Sequence, residues 1–140
     1  MGQEIKKPMA EMQGKLFELS GKLGYSSAAF IRTFMNSDIA QGLDAEFDFM
    51  QWAGKEYIME RMQDEYASGC RLGGTVFDGN VLYWIGYLYR YWHFYTGENS
   101  KAIYKQADAN TLNAVYLGYH TLDIEMAIDR LKEAKKKVSV

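Results

Sequence analysis

The chain has 140 residues, with 16 Lys and Arg against 18 Asp and Glu, a formal charge of −2, 48% hydrophobic residues and 15% aromatics. The near-neutral balance excludes a protein built to coat nucleic acid, because neutralising phosphates takes a marked surplus of Lys and Arg, and the apolar content excludes a disordered chain. The length suits a single domain, residues 1–140, large enough to bury a core, and leaves the aromatic share as the one unusual figure.

Ile5, Met9, Met12, Leu16, Leu19 and Leu23 recur at alternating steps of four and three, on one face of a first helix. Pro8 falls in its first turn, where the missing N–H costs nothing. This seam is short for a free coiled coil and reads as a bundle helix; it is also the face through which a second copy would pair as a homodimer. Gly14 and Gly21 lie one heptad apart, off the seam. Each weakens the helix by roughly 1 kcal/mol, unless it admits a close neighbour. Gly24 ends the helix, and Ser26 or Ser27 caps a second one carrying Phe30, Ile31, Phe34 and Met35.

After Asn36-Ser37-Asp38, residues 39–43 form a short helical turn. A long helix is expected from about 44 to 66, with an apolar stripe of Phe47, Met50, Gly54, Tyr57, Ile58 and Met62. Trp52 and Met59 lie off that stripe, and Arg61 with Glu65 makes an i, i+4 pair of opposite charge. Gly69, Gly73, Gly74 and Gly79 then break the helical pattern over 67–80, a connection in which Thr75-Val76-Phe77 is the one candidate strand. Asp78 or Asn80 caps a helix over 81–95 that Gly97 ends. Ser100 caps a short helix to Ala107, and Asp108 another to about Tyr119. Asp123 caps the last, whose late lysines Lys135, Lys136 and Lys137 complement the negative end of the helix dipole. The fold class is therefore all-α, a single compact bundle of six or seven helices around the helix at 81–95.

That helix concentrates the aromatics: eight of the 13 residues from Tyr83 to Tyr95. Val81, Trp84, Ile85, Leu88, Trp92 and Tyr95 make an ordinary core stripe, and Tyr89 with His93 forms another line. The remaining side carries Tyr83, Tyr87, Arg90 and Phe94. A helix apolar all round is a central helix. Tyrosine hydroxyls, however, need partners when buried, and Tyr and Arg are enriched in interface hot spots. Tyr83, Tyr87, Arg90 and Phe94 are thus candidate contact residues. Tyr119 and His120 join them from the segment 116–123, a turn in which Asp123 caps the last helix and His120 bonds a backbone group.

Reactive chemistry has little footing. His120, Asp123 and Glu125 fall short of a ligand set, and the other histidine, His93, is 27 positions away, so no metal is expected. Cys70 is the single cysteine, and a lone cysteine is more often inert than reactive. Gly69-Cys70-Arg71-Leu72-Gly73-Gly74 lacks the Gly-Lys-Ser/Thr ending of a phosphate loop. No carboxylate pair stands out as an acid–base couple, and no cofactor is implied. The basic cluster Arg130, Lys132, Lys135, Lys136 and Lys137 is a solvated helix end. One cysteine suits a reducing compartment. The start has no apolar stretch of a secretory signal, and no window reaches the roughly 20 apolar residues of a membrane span. A cytoplasmic chain without nucleic-acid or membrane partners is expected.

Two stretches carry a resemblance. One is Phe47-Asp48-Phe49-Met50-Gln51-Trp52-Ala53-Gly54-Lys55-Glu56-Tyr57. The other runs from Leu82-Tyr83-Trp84-Ile85-Gly86-Tyr87-Leu88-Tyr89-Arg90-Tyr91-Trp92 through Tyr95-Thr96-Gly97-Glu98 to Tyr119-His120-Thr121-Leu122-Asp123. Together they resemble a family of small, uncharacterised, all-helical bacterial proteins associated loosely with toxin–antitoxin-like gene neighbourhoods. The resemblance covers most of the chain from about Ser37 onward. It implies a partner-binding role and carries over no catalytic residue. The expected function is a non-enzymatic protein-interaction module, antitoxin-like or accessory, with a protein partner. The alternative is a small-ligand or enzymatic pocket between the aromatic helix and the segment 116–123, where Tyr and Trp walls with Arg90 and His120 would hold a planar or anionic ligand.

Overall fold

The computed structural model describes residues 3–45 and 53–139. Its helices are α1 (Gln3–Lys22), α2 (Ser27–Met35), α3 (Asp38–Asp44), α4 (Lys55–Glu65), α5 (Gly79–Thr96), α6 (Ser100–Gln106), α7 (Ala109–Tyr119) and α8 (Ile124–Ser139). The all-α class holds. The one long helix expected over 44–66 does not. Ala45 turns extended after α3, and Gly54 is extended (φ −85°, ψ 167°) ahead of α4. Gly54, assigned to an apolar stripe, instead starts a helix. Phe47 and Met50 of that stripe, and Trp52 beside it, lie outside the described residues. The Arg61–Glu65 pair forms, with Nε to Oε2 at 2.6 Å.

The largest helix–helix contact is α1 against α5, and glycines set its closeness. A Cβ at Gly86 would stand under 3.0 Å from the Gln13 carbonyl, and one at Gly14 would meet the Tyr83 ring at 2.9 Å. Gln13 Nε2 donates to the Gly86 carbonyl oxygen at 3.1 Å across this contact. The approach rotates the interior face of α1 away from the expected seam. Ile5, Met9 and Leu16 are buried, but Met12 and Leu19 are half-buried and Leu23 is exposed. Ala10, Gln13, Gly14, Phe17 and Ser20 take the remaining interior places. The apolar seam expected to pair with a second copy is thus largely covered within the chain.

Phe17 anchors the core with edge-on rings: Phe30 at 6.0 Å, Phe34 at 5.4 Å and Tyr89 at 6.3 Å. The segment after α4 forms a 3-10 turn, Ala67–Gly69, and then laces onto the start of α2. Ser27 N donates to the Thr75 carbonyl at 3.0 Å, and Phe77 N donates to Ser27 Oγ at 2.9 Å. Thr75-Val76-Phe77 therefore forms no strand; its backbone pairs with a helix start. Asp108 and Asp123 cap as expected, accepting from Thr111 N at 2.9 Å and Glu125 N at 3.0 Å. Asn99, rather than Ser100, caps α6, while Ser26 and Asp78 hold cap positions without a side-chain cap bond. Gly97 ends α5 in the left-handed region at φ 82°. Among the described residues no helix is long and apolar enough to cross a membrane.

Glu98 ties the end of α5 to α6 and α8. Its carboxylate accepts from Trp92 Nε1 at 2.9 Å, Gln106 Nε2 at 2.7 Å and Lys132 Nζ at 2.7 Å. Burial pushes this carboxyl upward, but the bonds from Lys132, Trp92 and Gln106 outweigh it and hold the pKa at about 2, below the ordinary 4.5. A carboxyl depressed in the folded state adds stability that is present above its unfolded pKa and lost as pH falls through its folded one. Stability is therefore expected to fall from about pH 4.5 towards pH 2. Glu98→Gln should flatten that part of the curve in urea melts taken at stepped pH. An unchanged slope would mean the clamp is not what titrates.

Candidate functional site

One flank of α5 stays uncovered by α1. Tyr83, Tyr87 and Tyr91 stand one helical turn apart there, with near-parallel rings 6.2 and 6.1 Å apart. All three are half-buried. The facing wall comes from Trp84, whose ring meets Tyr116 of α7 edge-on at 5.5 Å, and from Tyr116 stacked on His120 at 4.3 Å. Between them lies an open groove of about 610 Å³, lined also by Leu122, Ile124 and Glu18 of α1. The floor exists because Gly14 leaves room for the Tyr83 ring.

Hydroxyl partners divide the five tyrosines of α5. Tyr89 donates to the Ala107 carbonyl at 2.6 Å, Tyr91 to Glu125 at 2.8 Å and Tyr95 to Asp129 at 3.0 Å. The bond to Glu125, with burial behind it, pushes the Tyr91 hydroxyl up to about 12. Tyr83 and Tyr87 have no hydroxyl partner among the described residues, although burial, then the neighbouring Glu11 carboxylate, raises the pKa of both. Two phenols with unused hydrogen-bonding capacity thus sit in a groove with two more aromatic rings.

Of the residues expected from sequence, Tyr83, Tyr87 and His120 meet in this groove. Phe94 lies in a neighbouring cleft of about 280 Å³ with Tyr91, Tyr95 and Glu125, and Lys6 Nζ stands 6.0 Å from its ring centre. Tyr119 packs half-buried against the core and does not line the groove. Arg90 is the correction. It is 1% exposed, ion-paired to Asp44 at 2.6 Å, and its Nε and Nη2 donate to Gln13 at 2.9 Å and Ser100 at 3.2 Å. It belongs to a buried polar cluster under α1, not to a contact surface, and the pocket of Arg90 with His120 does not form. Trp84 and Tyr116 stand where Tyr and Trp walls are expected between the aromatic helix and the segment 116–123, although neither is among the named contact residues, and Glu18 is not expected at all. Trp84 had been assigned to the core stripe. The i, i+4 spacing of Tyr116 and His120 was the available signal for the second wall.

The Arg90 cluster brings Ser100, His93 and Asp44 close together without making a nucleophile. Ser100 is buried, and its hydroxyl donates to Asp44 at 2.8 Å. His93 Nδ1 donates to the Glu98 carbonyl at 2.7 Å and is 3.7 Å from Asp44. An activated serine needs the imidazole within reach of the hydroxyl proton, and here the carboxylate takes that bond. Among the described residues no three His, Cys, Asp or Glu side chains converge as metal ligands. His120 Nδ1 donates to the Tyr116 carbonyl at 2.7 Å, as expected of a turn histidine. Cys70 is half-buried and burial raises its pKa, which keeps it a thiol. Comparisons with family models, with curated proteins and with solved structures find no match for this chain.

Proposed function

We propose that the chain is a non-enzymatic protein-interaction module that takes a segment of a partner protein in the groove between α5 and α7. The observation that carries this reading is the pair Tyr83 and Tyr87: half-exposed rings with unpartnered hydroxyls, beside Trp84 and Tyr116. Tyr and Trp supply large, rigid contact area with a polar handle, which is why they are enriched where proteins meet. The open shape also favours a chain segment over a small molecule, since ligand pockets enclose most of their ligand. An antitoxin-like or accessory role in a bacterial toxin–antitoxin-like system, and a cytoplasmic location, belong to the same proposal. They rest on the family resemblance and the single cysteine respectively.

The test compares two baits in an extract of the source cells. Wild-type protein should retain a partner that a Tyr83→Ala, Tyr87→Ala double variant loses by tenfold or more, with both baits folded by circular dichroism. Each half-exposed ring accounts for about 1 kcal/mol or more at a hot spot. Equal retention by the two baits would remove the groove as the docking site.

A further inference from the structure

We infer that the groove between α5 and α7 recognises cations, and that its occupant is a basic segment of a partner protein laying arginine or lysine side chains across the tyrosine rings. This rests on the docking reading above and names its chemistry. Aromatic ring faces carry negative potential, and a guanidinium or ammonium within about 6 Å of a ring centre is drawn to it. The groove supplies Tyr83, Trp84, Tyr87 and Tyr116 as such rings.

Its charged groups have the same sign. Glu18 lines the groove, and no lysine or arginine is among its described lining residues. Lys15 and Lys22 of α1 are exposed and do not line it. Glu11 acts on both Tyr83 and Tyr87, and Glu18 on Tyr83, each favouring the neutral phenol. Further along α5, Glu125 and Asp129 accept from Tyr91 and Tyr95, but Lys6 and Lys7 line that neighbouring cleft, so the acidic edge is confined to the Tyr83–Tyr87 groove.

The hydrogen-bonding groups fit as well. The Tyr83 and Tyr87 oxygens can accept from an N–H donor. An anionic ligand would meet a carboxylate and ring faces here, with Arg90 buried elsewhere. Arginine suits the rings better than lysine, because its planar group stacks while it donates.

The test uses the full chain and fluorescein-labelled octapeptides alternating alanine with arginine, lysine, glutamate or leucine, read by fluorescence anisotropy. The arginine peptide should bind most tightly, lysine next, and glutamate not at all. Tyr87→Leu keeps apolar bulk and charge but removes the ring, and Glu18→Gln removes the charge. Each should weaken arginine binding about fivefold. Glu60→Gln, the same charge change on exposed α4, should leave affinity within about twofold. Equal losses for Glu18→Gln and Glu60→Gln, or no loss for Tyr87→Leu, would reduce the attraction to diffuse charge and overturn the inference. If instead the leucine peptide binds in a Tyr87-dependent way and the arginine peptide does not, docking stands and cation recognition falls. If no peptide depends on Tyr87, both fall.

Discussion

Replacing Gly86 with alanine is expected to lower the unfolding free energy by about 3 kcal/mol, near the top of the range for overpacking by one methyl group. The added carbon would stand under 3.0 Å from the Gln13 carbonyl oxygen and carbon and from the Gly14 Cα. All three are backbone atoms of α1, so no rotamer change relieves the clash. The helices must separate, and separation strains two buried bonds, Gln13 Nε2 to the Gly86 carbonyl and Arg90 Nε to Gln13. Gly118 provides the matched control. It lies in α7 with nothing within 4 Å of the added carbon, so Gly118→Ala should stabilise by about 0.5–1 kcal/mol through helix propensity alone. Urea melts should show opposite shifts of midpoint with unchanged slopes. A Gly86→Ala loss under about 0.5 kcal/mol would mean that α1 and α5 do not pack this closely.

The same contact marks the boundary of what was legible in the sequence. Chain-local features read directly: the caps at Asp108 and Asp123, the left-handed stops at Gly24 and Gly97, and the helical class. Each depends on residues within one turn of one another. The flanks of α5 depended on what packs where. Helical spacing puts Arg90 on one line of α5 with Tyr83, Tyr87 and Phe94. It does not say that α1 passes close enough, through Gly14 and Gly86, to roof Arg90 while leaving Tyr83 and Tyr87 at its edge. Gly14 was visible as either a weak point or a close approach, and only packing separates these. The break before α4 was missed for a related reason. Gly54 fits an apolar stripe by spacing, but its extended backbone makes it a helix start. Trp84 kept the periodicity of a core residue while lining the groove, because α7 meets only one side of it. Of the groove, then, the tyrosine floor, His120 and the place of a Tyr and Trp wall were readable, and which Tyr and Trp build that wall required the tertiary arrangement.

Breaking the Asp44–Arg90 pair from the acidic side should cost more than removing the pair. Arg90 is 1% exposed, and burial lowers its pKa against the opposing pull of Asp44. With Asp44→Asn the guanidinium keeps only neutral acceptors in Gln13 and Ser100, and the expected loss is about 3–5 kcal/mol, that of an uncompensated buried charge. Arg90→Met should cost less, about 2 kcal/mol. Asp44 would still accept from the Ser100 amide and hydroxyl, both at 2.8 Å, and the methionine refills part of the space. The double variant should then be no worse than Asp44→Asn alone, because the second change removes the charge that the first left unpaired. A double-mutant cycle by urea unfolding reads this as a coupling of at least about 2 kcal/mol; additive losses would show that the two side chains act independently. Salt should not rescue Asp44→Asn, since a buried charge is poorly screened. The exposed Arg61–Glu65 pair should contribute under about 1 kcal/mol and weaken with salt. Arg90 therefore holds α3 and α6 against α5 and α1. Any test of the groove has to leave it in place: an Arg90 variant that failed to hold a partner would report a loosened core, whereas Tyr83 and Tyr87 can be changed at the edge of that core.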